Sequence, residues 1–277
     1  MGGVAARAVD CHAHCYDLAE QDFSASSGFH VHPNERGSAR DYEAVLDAHG
    51  ISHAVLVNPL GGYGTDNRYL LRTIAAGGGR FRGIALLAED ADERTVAALA
   101  DGGIAGIRFN LNFPTSPSLY GAAGERSLAI ARELGWIVQV HYSGDAIVPA
   151  LPTLRASGCT VVIDHCGRPD TTAGIDQPGF AELLAYGREG SAFIKLAAFF
   201  RMAAAPYRDC LPFAQALIDA FTVERCLWGS DWPFVRATTR VDYGPQRAFL
   251  DVAVPSPADR ARILWDNPAR LFGFDPW

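Results

Sequence analysis

The chain has no run of 18 or more apolar residues, which excludes an ordinary membrane-spanning helix. It also lacks a basic amino-terminal stretch followed by an apolar segment, so a soluble, cytoplasmic protein is expected. Basic charge is the scarcer sign, with 24 Lys and Arg against 31 Asp and Glu and a formal net charge of −7. Neutralising phosphates takes clustered Lys and Arg, so a nucleic-acid partner is not expected. An anionic substrate would need local arginines. No low-complexity linker divides the sequence, and residues 1–277 read as one domain. The six cysteines, Cys11, Cys15, Cys159, Cys166, Cys210 and Cys226, are few for a chain long enough to build a core, so reduced thiols are expected. Strand alternation places Cys11 and Cys15 toward surrounding helices. The sequence shows no obvious serine or cysteine nucleophile, and it leaves the oligomeric state open, a homo-oligomer being compatible with it.

What is present points to one architecture. With 49% hydrophobic residues over 277 positions, the chain can bury one large core, and barrels of alternating strands and helices commonly run to about 250 residues. Eight short apolar or β-branched runs read as strands: Arg7–His14, His53–Pro59, Phe81–Ala88, Ile104–Leu111, Ile137–Tyr142, Thr160–Cys166, Phe193–Ala198 and Cys226–Asp231. Helix-like stretches such as Asp41–His49 and Gly124–Leu134 lie between them. The expected fold class is α/β, a (β/α)8 TIM barrel with chemistry at the carboxyl ends of the strands. Asn267-Pro268 reads as a helix N-cap with proline at the first helical position. The polar stretch from Cys15 to Arg40 is long enough to be a lid or binding loop.

The strongest chemical signal is Asp10-Cys11-His12-Ala13-His14. Alternation points both histidines the same way, and neutral imidazoles suit zinc and similar divalent ions. His141, His165 and Asp231 also fall at strand ends. A second match, His30-Val31-His32, lies in the long first loop, where no strand holds the rings in register. Asp231, in Trp228-Gly229-Ser230-Asp231-Trp232-Pro233, can take a proton from water if it reaches one. His165 is a candidate ligand or carbonyl-polarising group. Arg108 and Asn110 share a strand face aimed inward, and a buried guanidinium calls for an anion such as a bidentate carboxylate. Arg168 and Arg201 are further substrate-binding candidates. Tyr63 and Thr65 follow the second strand, where a hydroxyl could hold substrate, although a turn with a helix cap also explains Thr65 and Asp66. Lys195 is expected to point into the barrel, there to pair with Asp10.

These segments resemble the amidohydrolase superfamily, and within it the branch of 2-pyrone-4,6-dicarboxylate lactonase and the sugar lactonases. The resemblance rests on Asp10–His14, Gly64-Thr65-Asp66-Asn67, Gly106–Asn110, Val162–Pro169, Trp228–Pro233 and Asn267-Pro268. It implies a distorted (β/α)8 barrel in which His12, His14, His165 and Asp231 surround a scissile ester, Asp231 activates water and Arg108 grips a substrate carboxylate. One departure matters. The pyrone lactonase family works without a metal and has no histidine at the fifth strand's end, whereas this chain has His141. The comparison implies one divalent ion, zinc or manganese, held by His12, His14, His141 and Asp231, with metal-free catalysis left open and a substrate other than the pyrone. No lysine or glutamate ends the fourth strand, which disfavours two metals. The implied activity is hydrolysis of a lactone or cyclic ester carrying a carboxylate; the alternative is a single-metal decarboxylase or lyase acting on an aromatic or muconate-type acid.

Overall fold

Eight apolar runs become eight parallel strands in one sheet, ordered as they occur in the chain: β1 Val9–Ala13, β2 His53–Val57, β3 Phe81–Ala85, β4 Ile104–Asn110, β5 Ile137–His141, β6 Val161–Ile163, β7 Ala192–Ala197 and β8 Cys226–Gly229. The computed structural model describes residues 7–19, 32 and 35–274. Helices run between successive strands, among them Ala39–Ala48, Arg68–Ala76, Glu93–Asp101, Gly121–Glu133, Pro178–Arg188 and Leu211–Phe221. Ser38 and Asp92 cap two of them, their side chains accepting from the N–H of Asp41 and Thr95 and satisfying donors that have no partner in the first turn. Asn267 is not the cap the sequence pattern predicted. It already has helical dihedrals, because the preceding segment Arg262–Asp266 runs straight into the helix. Its amide instead donates to the carbonyls of Val223 and Cys226 at 2.7 and 2.9 Å, tying the last helix to the start of β8.

The closure between β8 and β1 carries the site. Asp10 pairs with Ala54 and Ala13 with Leu56, so β1 takes three steps where β2 takes two. That extra residue is a β-bulge, and it breaks the alternation. Val9 and Cys11 pack inside the barrel with Val55, Val57, Ile84, Val162 and Leu227, while His12 and His14 also face inward. The predicted outward orientation of Cys11 is therefore overturned; Cys15 does lie in the outer core. The bulge also turns Asp10 away from the interior, so it does not meet Lys195. Its Oδ1 accepts from the N–H of His12 and Ser230 at 3.1 and 2.8 Å, and its Oδ2 from the Tyr243 hydroxyl at 3.0 Å. Backbone bonds from Asp231 N–H to His12 O and from His14 N–H to Trp232 O, both 2.8 Å, complete the closure. Gly229 permits this approach, since a Cβ there would lie 2.9 Å from the His12 nitrogen.

The long first loop lies largely outside the described residues, as do His30 and Val31; His32 is exposed and donates its N–H to Glu35. Among the described residues no helix is long and apolar enough to cross a membrane. All six cysteines are unpaired.

Because Asp10 satisfies three donors that are otherwise buried, Asp10→Ala should destabilise the fold by about 3 kcal/mol or more, at about 1–3 kcal/mol per orphaned group. Urea unfolding measures it; a variant as stable as the parent would show that the seam does not depend on this carboxylate.

Candidate active site

Three imidazoles and one carboxylate meet where β1, β6 and β8 end. His12 Nε2 and His14 Nε2 are 3.3 Å apart. Asp231 Oδ1 lies 3.7 Å from His12 Nε2, 3.5 Å from His14 Nε2 and 3.8 Å from His165 Nε2. Local backbone geometry makes this possible. Asp231 has φ +64°, and His165, Cys166, Gly167 and Arg168 form a run of positive φ values just after β6. Such conformations cost about 1–3 kcal/mol each in non-glycine residues and concentrate at functional sites. Gly167 has no alternative there, since a Cβ would sit 2.5 Å from the Tyr142 hydroxyl.

The outward nitrogens of the paired rings are held from behind. His14 Nδ1–H donates to the Val57 carbonyl at 2.8 Å, which fixes a tautomer with the Nε2 lone pair facing the centre. His12 Nδ1 faces Asp164 Oδ1 and the Lys195 ammonium, each at 3.2 Å. Two nitrogens bound to one tetrahedral zinc at about 2.0–2.1 Å would lie about 3.4 Å apart, so the observed spacing of the pair fits a single divalent ion. Among the described residues, His12, His14 and Asp231 form one group able to hold a metal, and His12, Asp164 and His165 a second. The second already contains a cation, because Lys195 Nζ lies 3.3 Å from Asp164 Oδ1. His141, expected as a fourth ligand, belongs to neither group. Its ring stands edge-on to His165 at 5.1 Å between centroids, with a buried Nδ1 that has no partner.

Burial holds His12, His141 and His165 neutral: it lowers His12 to about 3 and the other two well below the ordinary imidazole range. Burial disfavours the charge on Asp231, but Arg201 and the imidazoles outweigh it and hold the carboxyl well below its usual range. Arg201 Nε donates to Asp231 Oδ2 at 2.6 Å, leaving Oδ1 to face the rings.

These groups open into a cavity of 460 Å³ lined by His14, His141, His165, Asp231, Asn110 and four arginines, Arg108, Arg168, Arg201 and Arg236. The predicted substrate-facing residues Arg108, Asn110, Arg168 and Arg201 are thus brought together. Tyr63 and Thr65 are not. Tyr63 stacks on Tyr69 with its hydroxyl on the backbone of Asp17, and Thr65 is exposed in the turn beyond; Leu60, Gly61 and Gly64 line the cavity in their place. Periodicity along β2 carries no information about how the following loop folds back. Phe113 and Arg236, missed in the sequence, also line the cavity, with the guanidinium 5.4 Å from the ring centroid. The buried charged residue most clearly missed is Asp164, whose partners include Lys195, the lysine expected on Asp10. It shares inward parity with Val162, and that alternation was the available signal.

Residues 9–274 match the protein-family model described as Amidohydrolase. The chain is 30% identical to a 2-pyrone-4,6-dicarboxylate hydrolase of Comamonas testosteroni, over 96% of this chain and 90% of that protein. It is 33% identical to a 4-sulfomuconolactone hydrolase of Hydrogenophaga intermedia, over 84% and 78%. A solved structure from Pseudomonas putida, named as a 2-pyrone-4,6-dicarboxylic acid hydrolase, superposes with a TM-score of 0.86 at 36% identity, covering 99% of this chain and all of that one.

The neutral imidazoles make stability depend on pH. In chelated protein the unfolded chain binds protons near the ordinary histidine value of about 6.5, while the folded chain does not until much lower pH. Stability should be complete above about pH 7 and fall steadily toward about pH 5, with the ionised Asp164 and Asp231 adding their own loss only below about pH 4. Urea midpoints across this range read the effect; a flat profile would mean that these rings are not held neutral.

Proposed function

The chain belongs to the amidohydrolase family, and on that premise we propose that it hydrolyses a lactone or related cyclic ester bearing at least one carboxylate. The observation that carries this reading is the convergence of three imidazole Nε2 atoms within 3.8 Å of one ionised carboxylate oxygen, on the wall of a cavity lined by four arginines. The lactone hydrolases among its relatives support the same substrate chemistry.

In this reading Arg108, Arg168 and Arg201 receive the substrate's carboxylate. Arg108 is suited to the task because its Nε is already committed to Asp164 at 2.9 Å, which turns the terminal nitrogens toward the cavity. His165 and His141, both neutral, lie beside the position the ester carbonyl would take and can donate to its oxygen as charge develops. Asp231 Oδ1 accepts a proton from the attacking water, whose oxygen bonds to the carbonyl carbon. As the ring C–O bond breaks, Asp231 returns that proton to the departing alkoxide, and the products are a hydroxyl group and a carboxylic acid, which releases its remaining proton to solvent as a carboxylate. Arg201 keeps Asp231 ionised and oriented throughout. His12, His14 and Asp231 would hold a divalent ion, zinc or manganese; when bound it would act as a Lewis acid and lower the pKa of water. We find no observation that favours the lyase alternative.

Replacing Asp231 by Asn keeps the volume but removes the base, and should lower kcat for a carboxylate-bearing lactone by about 10²–10⁴. A variant with near-parental turnover would remove Asp231 from this role. Chelation followed by dialysis should reduce activity in step with metal content, and zinc or manganese at about one ion per chain should restore it. Full activity in metal-free protein would assign the chemistry to the side chains alone.

A further inference from the structure

Beneath the cavity lies a buried polar layer made of Arg108 on β4, Gln139 on β5, Asp164 just after β6 and Lys195 on β7, of which Arg108 alone reaches the cavity wall. Asp164 is fully buried and sits at its centre. Its Oδ1 lies 3.2 Å from His12 Nδ1 and 3.3 Å from Lys195 Nζ, while its Oδ2 accepts from Arg108 Nε at 2.9 Å and from Gln139 Nε2 at 3.0 Å. Lys195 Nζ donates to Gln139 Oε1 at 2.7 Å and closes the ring of contacts. Lys195 is the single lysine in the sequence. Every other basic side chain apart from histidine is an arginine.

We propose that Asp164, with Lys195 as its fixed counter-cation, is a positioning residue that ties the hydrolytic centre to the substrate clamp. The inference rests on the roles given above to His12 and Arg108. One oxygen of Asp164 faces His12 Nδ1 at 3.2 Å, and its negative charge favours the ring proton on that nitrogen, which leaves the Nε2 lone pair aimed at the same point as that of His14. The other takes Arg108 Nε and so orients its terminal nitrogens. A shift of this one carboxylate moves the imidazole and the guanidinium together. Lys195 has two tasks. It balances a charge that burial would otherwise neutralise, and it sets a cation against His12 and Asp164, two members of the second group of metal-ligating atoms, which disfavours an ion there.

Two variants test this. Asp164→Asn keeps the shape and removes the charge. Asp164→Leu combined with Lys195→Met removes both charges, a swap that buried ion pairs often tolerate without loss of stability. Nitrogen NMR of the parent should show His12 protonated at Nδ1. In each folded variant that signal should give way to the Nε2-protonated form, zinc affinity should fall about 10–100-fold, and KM for a carboxylate lactone should rise while kcat falls. If Asp164→Asn does not fold, the double variant decides by the same readings. A parent His12 protonated at Nε2, or a folded variant with unchanged zinc affinity and an unchanged His12 signal, would overturn the proposal. The NMR and zinc readings need no substrate, so a failure of the lactonase reading would appear separately, as inactivity of the parent.

Discussion

One extra residue in the first strand organises the rest of the site. Without the bulge between Asp10 and Ala13, Asp10 and the two histidines would share a face, and the carboxylate would compete for the ligand position. With it, the imidazoles face the barrel axis while Asp10 turns to the seam and accepts from two backbone N–H groups and the Tyr243 hydroxyl. The same carboxylate therefore shapes β1 and joins it to β8, the strand that delivers Asp231. Bulges next to active sites commonly re-aim side chains in this way.

The electrostatics follow from that geometry. The protein carries a net charge of −7, yet its cavity is lined by four arginines. Two buried carboxylates, Asp164 and Asp231, are each held ionised by adjacent cations, and the imidazoles are kept neutral by burial. Neutral rings can present lone pairs to a metal or donate to a carbonyl, which protonated rings cannot do in the same way. An anionic substrate is drawn to the arginines, while the ionised Oδ1 of Asp231 is free to meet water.

Much of this was legible in the sequence. Each predicted strand contains an observed one or overlaps it within a residue or two, because parallel strands buried on both faces must be apolar runs of limited length. His12, His14, His165 and Asp231 were legible because chemistry in a barrel gathers at the strands' carboxyl ends. The register of β1 was not, since a bulge is set by pairing between distant segments; that is why Cys11 and the partner of Lys195 were misplaced. Tyr63 and Thr65 failed for a related reason: a loop's path is decided by packing, here Tyr63 against Tyr69, and not by alternation. Asp164 was missed although inward parity marks Arg108, Gln139, Asp164 and Lys195 on four successive strands, a polar layer that only becomes meaningful once the strands are known to be neighbours.

In the proposed reaction, water held at Asp231 attacks an ester carbonyl. Turnover of a carboxylate-bearing lactone in oxygen-18 water, followed by mass spectrometry of the product, tests it most directly. Attack at the carbonyl should leave one labelled oxygen in the newly formed carboxylate, an unlabelled hydroxyl group and no release of carbon dioxide. Label in the hydroxyl, or carbon dioxide in step with turnover, would contradict it.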